Sequence, residues 1–436
     1  SMITTLQVRD FKSYQSATLY LGRLTVLMGA NASGKSNVIE ALRLLSRLAT
    51  GERLGLIGHS QYQGIPVVRG QVEHLGYQGK RCFELGCTTT HPDWPNFSIQ
   101  LTLGSDNQLL VTQELMTGPT STSPLYEITS PPQGTGRDIV VAYNNFSSDF
   151  EKSSTVCSSY MAVFTQLLSD IRFPTKQAKS REIIPRVAEQ YVDWLSKIIF
   201  LEPQPSLMRR YGHMTDTVLQ ENGQNLSGVL YRLCQSLDNR EAVLGFIRSL
   251  PEQDIQDISF LETPWGDVLL QLTETFGGCA TPYDATRISD GTLRVLAIAA
   301  VLLSAPEDSV VVIEEIDNGI HPSRVKGLLE KMADLAQRRN LRILMSSHNP
   351  ALLDALPEEA IPDTEFCYRS QNEGSSQLIR LQDIPDYPEL ISQGSLGYLM
   401  TGGRLERFVK DYPGADRKKQ KALDWLASLN EVVESK

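Results

Sequence analysis

Residues 29–36 of this 436-residue chain read Gly29-Ala30-Asn31-Ala32-Ser33-Gly34-Lys35-Ser36. They match the pattern GxxxxGK[ST], in which two glycines let the backbone turn tightly so that its N–H groups point inward at phosphate oxygens. An apolar strand pattern at 19–28 precedes the motif, and apolar residues recur at helical spacing from Val38 to Leu48 after it. A strand, glycine loop and helix in this order predict a phosphate-binding P-loop; the alternative is a glycine turn that only caps a helix.

Each position of the motif suits an ATP molecule with its magnesium ion. Lys35 places a point charge between the terminal phosphates, and the Ser36 hydroxyl is a magnesium ligand. The helix that begins near Lys35 adds its positive end. We therefore expect one continuous stretch to bind ATP: Gly29, Ala30, Asn31, Ala32, Ser33, Gly34, Lys35, Ser36 and Asn37.

A second pattern supplies carboxylates for the same site. Four β-branched residues at 310–313 predict a buried strand, and Glu314 and Glu315 follow it directly. Ligands of α/β sheets lie at the carboxyl ends of the strands. We expect Glu314 to bind Mg²⁺ and Glu315 to orient and deprotonate the attacking water, the alternative being a solvated acidic pair.

Two further elements carry polar groups at the ends of regular structure. Ser289 stands at the expected N-cap of the apolar helix 291–304, where its hydroxyl and the free N–H groups attract phosphate. His348 follows the strand predicted at 342–347. His348 is a candidate catalytic residue, and the alternative is a histidine whose hydrogen bonds are satisfied at a strand end.

Composition limits the classes of function. The chain has 51 acidic and 41 basic residues and a net charge of -10, which argues against coating nucleic acid through bulk charge. The first fifty residues carry a local excess of basic residues, so a narrow basic strip stays possible. No CxxC pair occurs, the longest apolar run is too short for a bilayer, and no signal-peptide pattern is present. We expect a cytoplasmic protein.

The order of the predicted elements suggests a discontinuous domain. Strands predicted at 65–73, 81–88, 97–103, 109–115 and 138–143 form an antiparallel lobe, and strands alternate with helices after 286. Between them, helical patterns occur at 155–170, 183–200, 225–237 and 240–250, followed by a hairpin over 255–272. We predict an ATPase head from 1–150 and 286–400, a helical insertion at 151–285 that acts as a lever, and a helical tail at 401–436.

These motifs resemble the ABC-type ATPase superfamily, in its SMC, RecF and OLD-like branch. The resemblance rests on five stretches in the family's order: Phe11-Lys12-Ser13-Tyr14, Gly29 to Leu42, Ile288-Ser289-Asp290-Gly291-Thr292, Glu314 to Pro322, and Ser347 to Leu353. It implies an α/β P-loop NTPase with a mostly parallel sheet, an antiparallel β lobe and a helical insertion. The chain shows neither a long heptad pattern nor the acidic pattern of a TOPRIM nuclease domain.

The resemblance also implies roles for single residues. Glu314 matches the magnesium-side acid, Glu315 the hydrolytic glutamate, and His348 the histidine that senses the γ-phosphate. Ser289 and Gly291 match the signature residues that contact ATP bound by the other subunit of a dimer, and Asp317 to His321 match a loop at the dimer contact. His321 has a second interpretation, as a residue that only starts the next helix.

Two signature positions depart from the family pattern, and one expected glutamine is not evident. Asp290 replaces the usual glycine and Thr292 the usual glutamine. Gln71 is a weak candidate for the glutamine that links nucleotide to the antiparallel lobe.

Two functions follow as hypotheses. The first is an ATPase that forms a homodimer around two ATP molecules with Mg²⁺ and acts on DNA or on a separate effector, nuclease or toxin, in DNA repair or anti-phage defence. The second is an ATP-gated regulatory or scaffold subunit of a toxin or nuclease complex, in which hydrolysis is slow or dispensable. A transporter ATPase is disfavoured, because its signature helix follows the P-loop much sooner than Ser289 does here.

Overall fold

The computed structural model describes most of the chain. It covers residues 3–58, 61–62, 65–120, 123–132, 137–147, 153–248, 254–276, 278–384 and 387–392. The predicted helical tail at 401–436 lies outside the described residues. Within those residues, no helix is both long enough and apolar enough to cross a lipid bilayer.

Strands dominate the described chain. They are β1 (Ile3–Phe11), β2 (Tyr14–Tyr20), β3 (Leu24–Met28), β4 (Gln61–Tyr62), β5 (Ile65–Pro66), β6 (Cys82–Thr89), β7 (Asn96–Leu103), β8 (Leu109–Thr117), β9 (Tyr126–Ser130), β10 (Asp138–Tyr143), β11 (Ser153–Ser158), β12 (Ile199–Leu201), β13 (Gly212–His213), β14 (Ile255–Glu262), β15 (Asp267–Phe276), β16 (Cys279–Asp284), β17 (Val310–Ile313), β18 (Arg342–Ser347), β19 (Glu365–Arg369) and β20 (Ser376–Arg380).

The α-helices lie mainly after the first strands and in the second half. They are α1 (Lys35–Leu48), α2 (Leu54–Ile57), α3 (Ala178–Ser196), α4 (Pro205–Met208), α5 (Leu226–Leu233), α6 (Leu237–Arg248), α7 (Asp290–Ser304), α8 (Pro322–Arg339) and α9 (Tyr387–Ser392).

One 14-stranded sheet organises the molecule. Its order is β11-β10-β9-β8-β7-β6-β1-β2-β20-β19-β3-β18-β17-β12. The strands β19, β3, β18, β17 and β12 are neighbours in parallel, whereas β1, β2 and β6 to β11 pair antiparallel. The predicted α/β fold with an antiparallel lobe is confirmed. The sheet is mixed rather than mostly parallel, because eight of its thirteen neighbouring strand pairs are antiparallel, and the parallel pairs are concentrated around the P-loop strand β3.

The parallel strands are buried on both faces, as their unbroken apolar sequences predict. Alternate side chains enter two separate cores. Val26, Val311 and Ile343 join the core beneath α5 to α8, whereas Leu27 and Leu344 join the core on the α1 and α3 side. This burial fixes the register, because a shift of one residue would exchange the two faces.

A smaller sheet packs near α7. Its order is β13-β15-β14, and β16 also pairs with β15, at residues 271–276. The predicted hairpin is confirmed, since β14 and β15 pair from Ile255 to Glu262 around the turn at 263–266. Helices α5 and α6 connect this sheet to α7, which is buried along most of its length.

Three predictions of local structure were wrong. The pattern at 19–28 forms two strands, β2 and β3, because the chain turns at Gly22 and Arg23. The stretch 65–73 is a strand only at Ile65–Pro66. The predicted helix at 155–170 is instead strand β11 followed by two 3₁₀ turns.

Tertiary contacts explain the strand at 153–158. Six residues of β10 pair with β11, and the buried Glu114 carboxylate accepts hydrogen bonds from the backbone of Val163 and Phe164 at 2.7 and 2.9 Å. These partners favour an extended strand and a tight turn over the helix that the apolar spacing predicts. Segment 151–285 is thus mixed rather than purely helical; its boundaries as a domain stay a prediction.

Candidate functional site

The P-loop connects β3 to α1 with strained backbone. Ala32 and Gly34 have φ of 64° and 118°, and Gly34 is the residue before α1. A Cβ at Gly34 would overlap the Ser376 hydroxyl, so both the angle and the space require glycine here. The first turn of α1 therefore follows directly on a tight loop, and a helix N-terminus in this position favours phosphate.

Lys35 lies inside this loop. Its side chain is buried, and its Nζ donates to the Gly29 carbonyl at 2.6 Å. Burial lowers the pKa of Lys35, and the nearby carboxylates of Glu315 and Asp317 are among the groups that oppose that shift. A buried cation facing two carboxylates is suited to receive a phosphate that brings further negative charge.

Two serines of the loop differ in their surroundings. Ser33 Oγ is buried and has no hydrogen-bond partner among the described residues, whereas Ser36 is exposed. A buried hydroxyl without a partner is costly, and a phosphate oxygen would satisfy it. The residues of the predicted P-loop are therefore suited to bind the phosphates of a nucleoside triphosphate.

The P-loop is held by Tyr14 of the opening motif and by Arg369 and Ser376, two residues that sequence reasoning did not single out. Ser376 Oγ donates to Ser33 O at 2.6 Å, and Tyr14 Oη donates to Gly34 O at 2.8 Å. Arg369 Nε donates to Ala32 O at 3.0 Å. These three donors satisfy the carbonyls of Ala32, Ser33 and Gly34, so hydrogen bonds from β2, β19 and β20 fix the shape of the loop.

Asn37, expected to bind nucleotide, faces this supporting network instead. Its Nδ2 donates to Ser13 Oγ at 2.8 Å, and Ser13 Oγ can donate to Ser376 Oγ, which lies 2.7 Å away. Ser13 and Tyr14 belong to the Phe-Lys-Ser-Tyr stretch at the start of the chain, so that stretch stabilises the P-loop through hydrogen bonds to Asn37 and Gly34.

Glu315 and His348 meet at the carboxyl ends of adjacent parallel strands. The Glu315 Oε2 lies 2.9 Å from His348 Nδ1, and Ser346 Oγ accepts from the Glu315 backbone N–H at 3.0 Å. Glu315 has φ of 51°, a left-handed conformation that is uncommon for glutamate. Strain of this kind is typical of functional sites, because the surrounding contacts must hold it.

Glu314 points into a separate acidic cluster. Oxygens of Glu202, Glu221 and Glu314 all lie within 4.8 Å of one another, and Arg43 pairs with Glu221 at 2.5 Å and with Glu314 at 3.9 Å. Burial raises the pKa of Glu314, as does Glu202, while Arg69 and Arg43 lower it. Carboxylate oxygens are the ligands that Mg²⁺ prefers, so the cluster could hold a divalent cation.

The signature turn starts α7. Ser289 is the N-cap and its Oγ accepts from the Thr292 N–H at 3.3 Å. A Cβ at Gly291 would lie 2.8 Å from the Gly319 carbonyl, so the turn packs directly on the loop at 317–321. At the end of that loop, His321 caps α8, since its Nδ1 accepts from the Ser323 N–H at 3.2 Å.

Gln71 lies apart from these contacts. It is exposed and precedes a short 3₁₀ turn at 72–74. Its proposed link to nucleotide stays a prediction.

Fold and site together define an α/β P-loop protein with a nucleotide-binding site, as the motifs predicted. The chain belongs to the family described as "AAA domain, putative AbiEii toxin, Type IV TA system", whose profile matches residues 24–79 and 178–354. The two matched segments contain the P-loop, Ser289, both glutamates and His348. No curated protein matches the sequence at a significant level.

Among the solved structures that resemble the chain are three SMC heads. The first is an SMC head bound to the C-terminal winged-helix domain of ScpA, with 12% identity, a TM-score of 0.49, and coverage of 87% of this chain and 98% of that chain. The second is the SMC head from Thermotoga maritima, with 13% identity, a TM-score of 0.40, and coverage of 87% of this chain and 99% of that chain. The third is an Smc head with an extended coiled coil bound to the C-terminal domain of ScpA derived from Pyrococcus furiosus, with 12% identity, a TM-score of 0.45, and coverage of 90% of this chain and 99% of that chain. These likenesses are too distant to carry an argument about function.

Proposed function

We propose that this protein hydrolyses ATP with Mg²⁺ and works as an ATP-dependent homodimer. The observation that carries the proposal is the Glu315–His348 contact of 2.9 Å, formed where two parallel strands end and within the electrostatic reach of Lys35. A carboxylate held by a histidine beside a phosphate-binding loop is the arrangement that water activation requires.

Binding would begin in the P-loop. Lys35 would exchange its bond to the Gly29 carbonyl for the terminal phosphates, and Ser33 Oγ would gain the partner it lacks. The bonds from Tyr14, Arg369 and Ser376 keep the loop in shape before ligand arrives. Such preorganisation reduces the cost of ordering the site on binding.

Hydrolysis would depend on Glu315. Its backbone is fixed by Ser346, and its carboxylate is oriented by His348, so the free oxygen can accept a proton from water. His348 is more than half exposed and can meet a γ-phosphate as well as Glu315.

The Ser36 hydroxyl and the Glu314 carboxylate are the proposed magnesium ligands. A magnesium ion here would neutralise phosphate charge and stabilise the transition state. Glu202 and Glu221 would support Glu314, since Arg43 already holds Glu221 beside it.

The dimer is proposed from the signature turn. Ser289 and Gly291 stand at the start of a buried helix, and Gly291 packs on the loop at 317–321. A helix N-terminus of this kind favours phosphate, which in a dimer would be the γ-phosphate bound by the other copy. In this proposal Ser289 and Gly291 complete the site in trans.

The substitution Ser289→Arg tests the trans contact. We expect ATP binding to be unchanged and ATP-dependent dimerisation to be lost, because a long side chain replaces the hydroxyl at the contact. Light scattering with and without ATP measures the second effect, and calorimetry measures the first. Ser105→Arg, in an exposed turn, is the matched control. A normal dimer formed by Ser289→Arg would contradict the trans contact.

The dimer is proposed to act as a switch on DNA or on a separate effector protein. Closure of the dimer would move the segment at 151–285 as a lever. The proposed site of action is the cytoplasm. The matched family's description names a toxin–antitoxin system, which supports an effector partner. A toxin partner agrees with that description, whereas the nuclease, DNA-repair and anti-phage roles are proposed from the resemblance of the motifs alone.

A second candidate function has one observation in its favour. Asp290 places an exposed carboxylate at the signature turn, where phosphate repulsion would slow closure of the dimer. A regulatory or scaffold subunit with slow or dispensable hydrolysis is consistent with this residue.

A further inference from the structure

Arg209 contacts the signature turn, from Ile288 to Asp290, where α7 begins. It follows α4, and its Nη2 donates to Asp290 Oδ1 at 2.6 Å and to the Ile288 carbonyl at 2.8 Å. Its side chain is 27% exposed, and that of Asp290 is 66% exposed. Arg209 therefore holds the chain on both sides of Ser289.

Three arginines are associated with the turn. Arg287 lies just before it, Arg209 contacts it, and Arg294 follows one helical turn later. Burial lowers the pKa of Arg294, and the nearby carboxylates of Asp290 and Glu202 oppose that shift. Arg209 is the one of the three that forms an ion pair with the Asp290 carboxylate in the described residues.

Arg209 uses only part of its hydrogen-bonding capacity in the described residues. Both hydrogen bonds that it makes in the described part of the chain come from Nη2, so Nη1 and Nε have no partner there. A guanidinium group can bind a carboxylate on one side and a phosphate on the other, because its five N–H donors point outward in one plane.

We propose that Arg209 is a positioning residue for the trans ATP contact; this rests on the proposed dimer. Arg209 cancels the charge of Asp290 and fixes the Ile288 carbonyl, so that the Ser289 hydroxyl and the start of α7 can receive the γ-phosphate of the other copy. A cation from the segment at 199–225 thus compensates for the carboxylate that departs from the signature pattern. The segment and the nucleotide are coupled through this ion pair.

A double-mutant cycle on the full-length chain tests the proposal. We expect Arg209→Ala to weaken ATP-dependent dimerisation at least about tenfold, while ATP affinity of the monomer stays within about twofold. Asp290→Asn removes the charge that Arg209 cancels. The double variant should therefore dimerise within about threefold of Asp290→Asn alone. Arg210→Ala, an exposed neighbour, is the matched control and should behave as wild type.

The measurements are the dimer dissociation constant by light scattering with ATP, the ATP affinity by calorimetry, and the thermal midpoint of each variant. Loss of dimerisation in Arg209→Ala with rescue by Asp290→Asn supports the proposal. The role of Arg209 is overturned, with the dimer left standing, by either of two results. One is that the wild type dimerises and Arg209→Ala dimerises equally well. The other is that Arg209→Ala loses dimerisation and Asp290→Asn does not restore it. A wild type that stays monomeric with ATP bound overturns the proposed dimer as well.

Discussion

Replacing Lys35 by Ala should weaken ATP binding at least about 100-fold, which corresponds to about 2.7 kcal/mol. The lysine is buried in the loop, within reach of the carboxylates of Glu315 and Asp317. Without it, phosphates would meet those carboxylates with no intervening cation, and the charge-assisted bonds from Nζ would be lost. Isothermal calorimetry with ATP and magnesium measures the effect directly.

The control for this variant is Lys179→Ala. Lys179 is exposed on α3, so its loss removes the same charge and leaves the loop intact. The two variants should have the same net charge and similar thermal midpoints. ATP affinity retained by a folded Lys35→Ala protein would refute the assignment of the nucleotide site.

Replacing Glu315 by Gln should lower the hydrolysis rate at least about 100-fold and leave ATP binding in place. The amide keeps the size of the side chain, and its oxygen can still accept a hydrogen bond from His348, but it cannot take a proton from water. Dimers that form with ATP should then persist, because the nucleotide is not consumed. Phosphate release under saturating ATP measures the rate.

Glu330→Gln on the exposed face of α8 is the matched control and should hydrolyse ATP at the wild-type rate. The same pair of variants separates the two candidate functions in cells. Loss of cellular activity in Glu315→Gln favours a switch that needs turnover. Full activity with a permanently closed dimer favours the regulatory or scaffold function, and unchanged phosphate release would show that another group is the base.

Local sequence predicted the parts of the site that depend on short motifs. The P-loop follows from the spacing of Gly29, Gly34 and Lys35, and the helix cap follows from Ser289 before an apolar helix. The proximity of Glu315 and His348 could also be predicted from the sequence, because the carboxyl ends of parallel strands lie along one edge of a sheet. These contacts need only the type and order of the elements.

Other contacts depend on which strands become neighbours. Arg369 and Ser376 reach the P-loop because β19 lies beside β3 and β20 follows it, an order that no motif encodes. Glu202 and Glu221 meet Glu314 because β12 pairs with β17 at the sheet edge. The sequence offers no local signal for such pairs, since each lies far along the chain from its partner.

The helix predicted at 155–170 failed for a related reason. Apolar residues at helical spacing fit a 3₁₀ turn as well, and pairing of β11 with β10 together with the buried Glu114 determined the outcome. Burial decided between two local structures that the spacing alone could not distinguish.

The most direct test of the proposed ATP-dependent dimer is the mass of Glu315→Gln in solution by light scattering, with and without ATP and magnesium. Without ATP we expect the 48.5 kDa monomer. With ATP we expect a particle of twice that mass, and the same particle should be absent when Ser289→Arg is added. A mass that stays at 48.5 kDa while calorimetry shows ATP bound would contradict the proposed dimer.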